Sequence, residues 1–301
     1  MKELFKEELK KVGFDLIGFT DDNLLPLEPY LKKAEKLGYT SPLVKGKIKE
    51  RINLQSILPE ALGVIVVGLT YPKDSLIINK SKLHFGNSSW GQDYHVVIKD
   101  KCELALKEII KNYPNLQYKI ITDTSNMDDR FLAYKAGLGF YGRNSLLINE
   151  KYGSYFFIGA IIININFDSQ ETLSISNCGD CKQCMIACPS KAINETGILD
   201  SFKCRSYLTQ KKGDLNVDEK KILGTSVFGC DICARVCPYN QGFNHTKNQE
   251  FCPTGIEQLE DEIVMSNREF KGKYGHLAGA YIGKTRINRN IKYIKDKNNM
   301  V

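Results

Sequence analysis

Apolar residues at Leu4, Phe5, Leu9 and Val12 recur at helical spacing and Gly13 closes the run, which predicts an amphipathic helix over residues 1–12. A short strand over 14–19 follows, and the unbroken β-branched stretch over 64–69 predicts a buried strand. A long helical pattern over 93–111 leads through Tyr113-Pro114-Asn115 into a strand over 117–122. Next come a helix over 127–136 and two apolar strands over 145–148 and 155–164. This alternation predicts an α/β or α+β domain over residues 1–170. A cysteine-rich domain over 171–250 and a basic segment over 251–301 complete the expected organisation.

Gly137-Leu138-Gly139-Phe140-Tyr141-Gly142 spells the dinucleotide fingerprint G-x-G-x-x-G, but a helix precedes it and a strand follows. The fingerprint requires the reverse order, so these glycines read as a helix C-cap and turn.

The 301 residues suit about two domains, and 42% hydrophobic with 26% charged residues is ordinary globular usage. The most apolar stretch, 155–167, is broken by Asn164 and Asn166 and is shorter than the ~20 residues a membrane helix needs. The first residues carry charges of both signs, with no apolar signal core or twin arginine, so a cytoplasmic protein without membrane association is expected. Net charge is +7, and the segment 268–297 alone carries +7. A basic segment of this kind suits either an anionic partner such as nucleic acid or a solvated helix face.

Eight of the ten cysteines fall between residues 178 and 237. Disulfides would call for an oxidising compartment, so metal ligation is the expected use. Cys178-x2-Cys181-x2-Cys184-x3-Cys188-Pro189 is the spacing of bacterial ferredoxins, where the fourth cysteine serves the other cluster. Cys230-x2-Cys233-x3-Cys237-Pro238 repeats it with the first member displaced to Cys204. One 4Fe–4S cluster is therefore assigned to Cys178, Cys181, Cys184 and Cys237, and a second to Cys188, Cys204, Cys230 and Cys233. Cys102 reads as a small core residue, and Cys252 receives no role.

His84, His95, His245 and His276 form no metal-ligand spacing, and no hydrolase or P-loop motif is present. The remaining candidate catalytic group is Asp123, at the end of the 117–122 strand. Open α/β sheets place ligand-contacting residues there, although Asp123 or Ser125 could equally cap the next helix.

With these residues in view the chain resembles the epoxyqueuosine reductases, cobalamin-dependent iron–sulfur enzymes of the last step of queuosine synthesis in tRNA. The resemblance rests on Leu58-Pro59-Glu60-Ala61, Ser89-Trp90-Gly91-Gln92-Asp93-Tyr94-His95, Asp123-Thr124 and Ala136-Gly137-Leu138-Gly139-Phe140. It continues with Tyr152-Gly153-Ser154-Tyr155, the eight cysteines, Tyr207-Leu208-Thr209 and Ser266-Asn267-Arg268-Glu269-Phe270. The fold it implies is α+β, an α/β-type cobalamin-binding N-terminal domain followed by a bacterial ferredoxin-like two-cluster domain. A corrinoid would lie between the two, and the clusters would feed its cobalt.

The implied reaction removes the epoxide oxygen as water with two electrons. Asp123 aligns with the family's proton donor, a task that calls for a raised pKa. Cobalamin contacts carry over onto Arg51, Asp123, Leu147, Ile158, Ile161, Ser206, Asp231 and Ile232, the last two lying between Cys230 and Cys233. Gln210 and Lys212 align near the tRNA-facing side. An external flavodoxin- or ferredoxin-like electron donor is implied.

Two departures are visible. Ser125-Asn126 follows Asp-Thr where the family often has Gly, and Arg143 replaces a frequent Lys. Longer members carry helical repeats after the cluster domain, so the basic segment is expected to take more of the tRNA contact here. A two-cluster electron-transfer protein and a reductive dehalogenase are the competing readings. The 170-odd residues ahead of the first cluster cysteine argue against the former, and the lack of a twin-arginine signal against the latter.

Overall fold

The computed structural model describes residues 1–73, 82–168, 176–242, 246–254, 258–259 and 261–298. In chain order its first elements are α1 (Lys2–Lys11), β1 (Leu16–Asp21), α2 (Glu28–Lys36), α3 (Ile48–Arg51), β2 (Gly63–Thr70) and β3 (Leu83–Phe85). Next come α4 (Tyr94–Ile110), β4 (Tyr118–Ile121), α5 (Asp129–Lys135), β5 (Phe140–Tyr141), β6 (Leu147–Ile148) and β7 (Phe156–Ile163). The remainder is α6 (Gln183–Ala187), α7 (Arg205–Gln210), α8 (Val217–Ile222), β8 (Ser226–Phe228), α9 (Ile232–Arg235), β9 (Gln258–Leu259), α10 (Asn267–Tyr274) and α11 (Gly283–Asn298).

Contacts divide the chain into a first unit, Met1–Thr70 with His95–Cys181, and a second, Tyr71–Tyr94 with Lys182–Val301. The boundary expected at 170 lies outside the described residues, as does His245. The basic segment does not form a unit of its own; α10 and α11 belong to the second.

The first unit is built on a sheet in the order β1-β2-β7-β4, antiparallel at every pairing. The expected elements are present, but the rule for parallel sheets that drew attention to Asp123 does not apply to this topology. β2 and β7 are buried along their whole length, which is why they read as apolar runs without alternation. On one face Val64, Val66, Ile158, Ala160 and Ile162 pack with Phe131, Leu132 and Ala133 of α5. On the other, Ile98 of α4 sits where a side chain at Gly159 would collide. Phe5 of α1 meets Phe167 edge to face, with ring centroids 6.3 Å apart.

The glycine motif behaves as its order requires. Gly137 adopts φ +76, its N–H reaches Tyr134 O at 3.0 Å and the Leu138 N–H reaches Ala133 O at 2.9 Å. That is a helix-terminating Schellman turn, with β5 following.

The second unit holds a small sheet in the order β8-β3-β9. Trp90 is buried beside it and donates Nε1–H to Phe85 O at 2.9 Å. α11 lies over this core through Ile287, Ile291 and Ile294. Buried Asn290 donates to Thr209 O and Val227 O, both at 2.8 Å, and so ties α11 to α7 and β8. Among the described residues no helix is long and apolar enough to cross a membrane.

Candidate functional site

Asp123 lies just beyond β4. Continuing the β4–β7 register from the Ile121–Ala160 pair brings it level with Ile158. It does not cap the helix that follows. That role belongs to Asp128, whose carboxylate accepts the Phe131 N–H at 3.1 Å. Ser125 accepts the Met127 N–H at 3.1 Å in the connecting turn. Asp123 Oδ1 is instead 2.6 Å from His95 Nε2. The carboxylate is 49% exposed and the imidazole, near the start of α4, 30% exposed. A short carboxylate–imidazole contact open to solvent can hold a proton and pass it on. Sequence reading assigned His95 no role, because its partner is 28 residues away.

Beside this pair is a network of buried charge. Arg51 Nη2 lies 3.1 Å from Asp128 Oδ2, with both side chains largely buried. Arg130 Nη1 donates to Ser145 O at 2.9 Å. Burial lifts the Asp129 carboxyl to about 6; Arg130 opposes the shift, while Asp128 and Asp123 add to it. Lys45 Nζ donates to Thr124 O at 3.0 Å, fastening the loop before α3 to the segment after Asp123. Leu147 and Ile158 belong to the same apolar core, against which Ile48 and Ile52 pack. Arg51, Asp123, Leu147 and Ile158 are thus served by adjoining segments of the first unit.

Ile161 departs from that group. It is three residues from Ile158 on β7, so their side chains take opposite faces of the sheet and do not line one pocket wall. Ile161 is a fully buried core residue.

In the second unit α6 and α9 pack together and bring Cys184 and Cys233 into one cluster. Cys188 packs with Ala192 and Ile193, and Cys184, Cys204 and Cys233 join that cluster. Burial lifts the Cys230 thiol to about 11; the Ile232 N–H and the Arg205 charge oppose the shift, while Asp231 and Cys204 add to it. Cys233 is raised well above the usual range by burial and by Cys230 and Cys204. Cys204, Cys230 and Cys233 thus lie within electrostatic reach of one another. At Cys188 burial works upward, but the Ser190 hydroxyl and the N–H groups of Ser190, Ile193 and Ala192 outweigh it and lower the pKa. Such donors stabilise sulfur that carries negative charge, the state of a thiolate on iron. None of the ten cysteines is in a disulfide.

Asp231 Oδ2 accepts the Asn87 N–H at 3.0 Å, and Ile232 begins α9. Ser206 is engaged by Gln210, whose Nε2 donates to Ser206 O at 2.9 Å and to its hydroxyl at 3.3 Å.

Gln210 also connects to a basic cavity. Arg286 Nη1 donates to Gln210 O at 2.9 Å, and the Tyr281 hydroxyl bonds Gln210 Oε1. The cavity, about 620 Å³, is lined by Lys212, Lys271, Lys284, Arg286, Tyr281 and Asp93 among others. Lys284 is held by Met265 O, and, like Arg286, it spends its contact on a neutral carbonyl that leaves the charge in place. Lys212 was expected from sequence; Lys271 comes from α10, Lys284 and Arg286 from α11, Tyr281 from the turn between them and Asp93 from just before α4.

Comparison with known proteins decides the family. Residues 51–124 match the model of the epoxyqueuosine reductase QueG family, and residues 177–240 that of the 4Fe–4S double cluster binding domain. The epoxyqueuosine reductase of Bacillus subtilis is 35% identical over 300 residues, covering 96% of this chain and 77% of the relative. The chain belongs to the epoxyqueuosine reductase family. The Staphylococcus aureus enzyme is 36% identical over 287 residues, covering 93% of this chain and 75% of its own length. A crystal structure of selenomethionine-labelled epoxyqueuosine reductase superposes with TM-score 0.91 at 34% identity, covering 97% of this chain and 80% of that one. Another, of epoxyqueuosine reductase with an epoxyqueuosine-modified tRNA-Tyr stem loop, matches with TM-score 0.90, 34% identity and the same coverage. As an epoxyqueuosine reductase the chain is an oxidoreductase with an α+β fold and a 4Fe–4S double cluster domain. Neither a simple electron carrier nor a dehalogenase is the better description.

Proposed function

We propose that the chain reduces epoxyqueuosine to queuosine in tRNA, using two 4Fe–4S clusters and cobalamin. The Asp123–His95 pair, set at the end of β4 in a family of epoxyqueuosine reductases, is the observation that carries this reading. One cluster is assigned to Cys178, Cys181, Cys184 and Cys237, the other to Cys188, Cys204, Cys230 and Cys233. In the first unit Arg51, Asp123, Leu147 and Ile158 fit a large amide-bearing cofactor, offering polar groups beside a buried apolar wall. Ser206, Asp231 and Ile232 are the second unit's candidates.

When bound, cobalamin would supply a strongly reducing, nucleophilic metal centre. The balance is fixed by the chemistry. An epoxide, two electrons and two protons give an alkene and water. Opening the epoxide leaves negative charge on oxygen, and Asp123 holds the proton that neutralises it. His95 Nε2, 2.6 Å from Oδ1, orients the carboxyl and restores its proton. Its 30% exposure gives that proton a route from water. Substrate RNA is proposed to lie against Gln210 and Lys212 and to run into the basic cavity beside them, where Lys271, Lys284 and Arg286 neutralise phosphate. The electron donor is proposed to be a flavodoxin- or ferredoxin-like protein.

The cofactor set is tested by purifying the protein anaerobically with cobalamin supplied and measuring iron, sulfide and cobalt per chain. About eight irons and about one cobalt are expected. About eight irons with no cobalt after reconstitution would remove cobalamin from the reading.

A further inference from the structure

Arg205 follows the assigned cluster ligand Cys204 and opens α7. Its side chain does not extend freely into solvent. Nε donates to Ile222 O at 2.6 Å. The guanidinium lies over Gly224, where an added Cβ would come 3.0 Å from Nη2 and 3.2 Å from Cζ. Folded back in this way, it hydrogen-bonds the Cys230 thiol and lies within electrostatic reach of Cys188. Among the described residues no carboxylate pairs with it. Arg235 adds a second cation in its surroundings, and Asp231, next to Cys230, an opposing charge. The Asp231 carboxylate is engaged by the Asn87 N–H at 3.0 Å.

We propose that Arg205 sets the reduction potential of the cluster held by Cys188, Cys204, Cys230 and Cys233, as a fixed cation hydrogen-bonded to one of its ligands. The inference rests on the assignment of those four cysteines to one cluster. Taking up one electron adds one negative charge to the cluster. A nearby cation stabilises the reduced state more than the oxidised one, and a hydrogen bond to a ligand sulfur acts in the same direction. Both raise the potential of this cluster above the value it would have without the arginine. Arg205 is a positioning residue for electrons and need not touch substrate.

The test is a dithionite redox titration of the anaerobically reconstituted full chain, followed by electron paramagnetic resonance, for wild type, Arg205→Gln and Arg205→Lys. In Arg205→Gln one of the two cluster transitions is expected to move to lower potential. The shift should reach at least a tenfold fall in the reduced-to-oxidised ratio at fixed potential, about 59 mV for a one-electron couple. Arg205→Lys should return that transition toward wild type, and the other cluster should not move in either variant. An Arg205→Gln chain with full iron content and unmoved potentials, or with both potentials moved equally, overturns the proposal. Should Arg205→Gln fail to take up full iron, Arg205→Lys decides. A wild-type potential supports the role of the charge, and a tenfold or greater loss with full iron refutes it. A wild-type chain that binds only about four irons overturns the ligand assignment, and with it the proposal.

Discussion

Asp123 and His95 meet across 28 residues at 2.6 Å, and the proposed chemistry concentrates on that contact. Asp123→Asn keeps the shape and removes the transferable proton. It should retain iron and RNA binding while single-turnover reduction falls about 10²- to 10⁴-fold, the usual worth of a general acid. Turnover near wild type would reassign the residue. Asp129 gives a separate, pH-dependent signature. Its carboxyl is raised by burial from 3.8 to about 6, so the folded chain binds this proton more tightly than the unfolded one. That contribution is complete below the unfolded pKa and is lost as pH rises through about 6. Urea unfolding of Asp129→Asn should therefore lose a component of roughly 2–3 kcal/mol between pH 4 and 6 that wild type shows. At this scale the cysteines were the most legible feature, because cluster geometry dictates ligand spacing along the chain. The partners of Asp123, Arg51 and Cys230 were not, since each comes from a distant segment.

α5 follows the Asp123 turn and α11 supplies Lys284 and Arg286, and Asp128 and Asn290 help to fasten these helices. Asp128 caps α5 and also pairs with Arg51, so Asp128→Ala removes a cap and leaves a largely buried guanidinium alone. A loss of about 2–3 kcal/mol is expected by denaturant titration, more than a cap alone is worth. Asn290→Leu should cost a similar ~2–3 kcal/mol by leaving Thr209 O and Val227 O without their donor. The long elements, α1 and α4 through their helical period and β2 and β7 as apolar runs, were readable from sequence to within a residue or two. β3, β8 and β9 span two or three residues, too few to show a period, and their pairing is decided by tertiary contacts. The antiparallel topology was equally hidden, since β2 and β7, buried on both faces, look like parallel-sheet strands.

Across the whole molecule the net charge of +7 is matched by the +7 of residues 268–297. The structure turns part of that segment into a cavity wall with Lys271, Lys284 and Arg286. Binding of an RNA stem loop should weaken steeply as salt rises, and Lys271→Ala with Arg286→Ala should flatten that dependence by roughly two phosphate contacts. The composition foretold an anionic partner as one option; which cations share a cavity is decided only when α10 and α11 fold onto the turn between them. The most direct test of the proposed reaction is to incubate the reconstituted chain, cobalamin and a low-potential reductant with an epoxyqueuosine-bearing tRNA stem loop under anaerobic conditions. Nucleosides from the digested RNA are then weighed by mass spectrometry. Loss of one oxygen to give queuosine, dependent on Asp123, is the expected result. Unchanged epoxyqueuosine with a chain that holds both clusters and cobalamin and binds the RNA would contradict it.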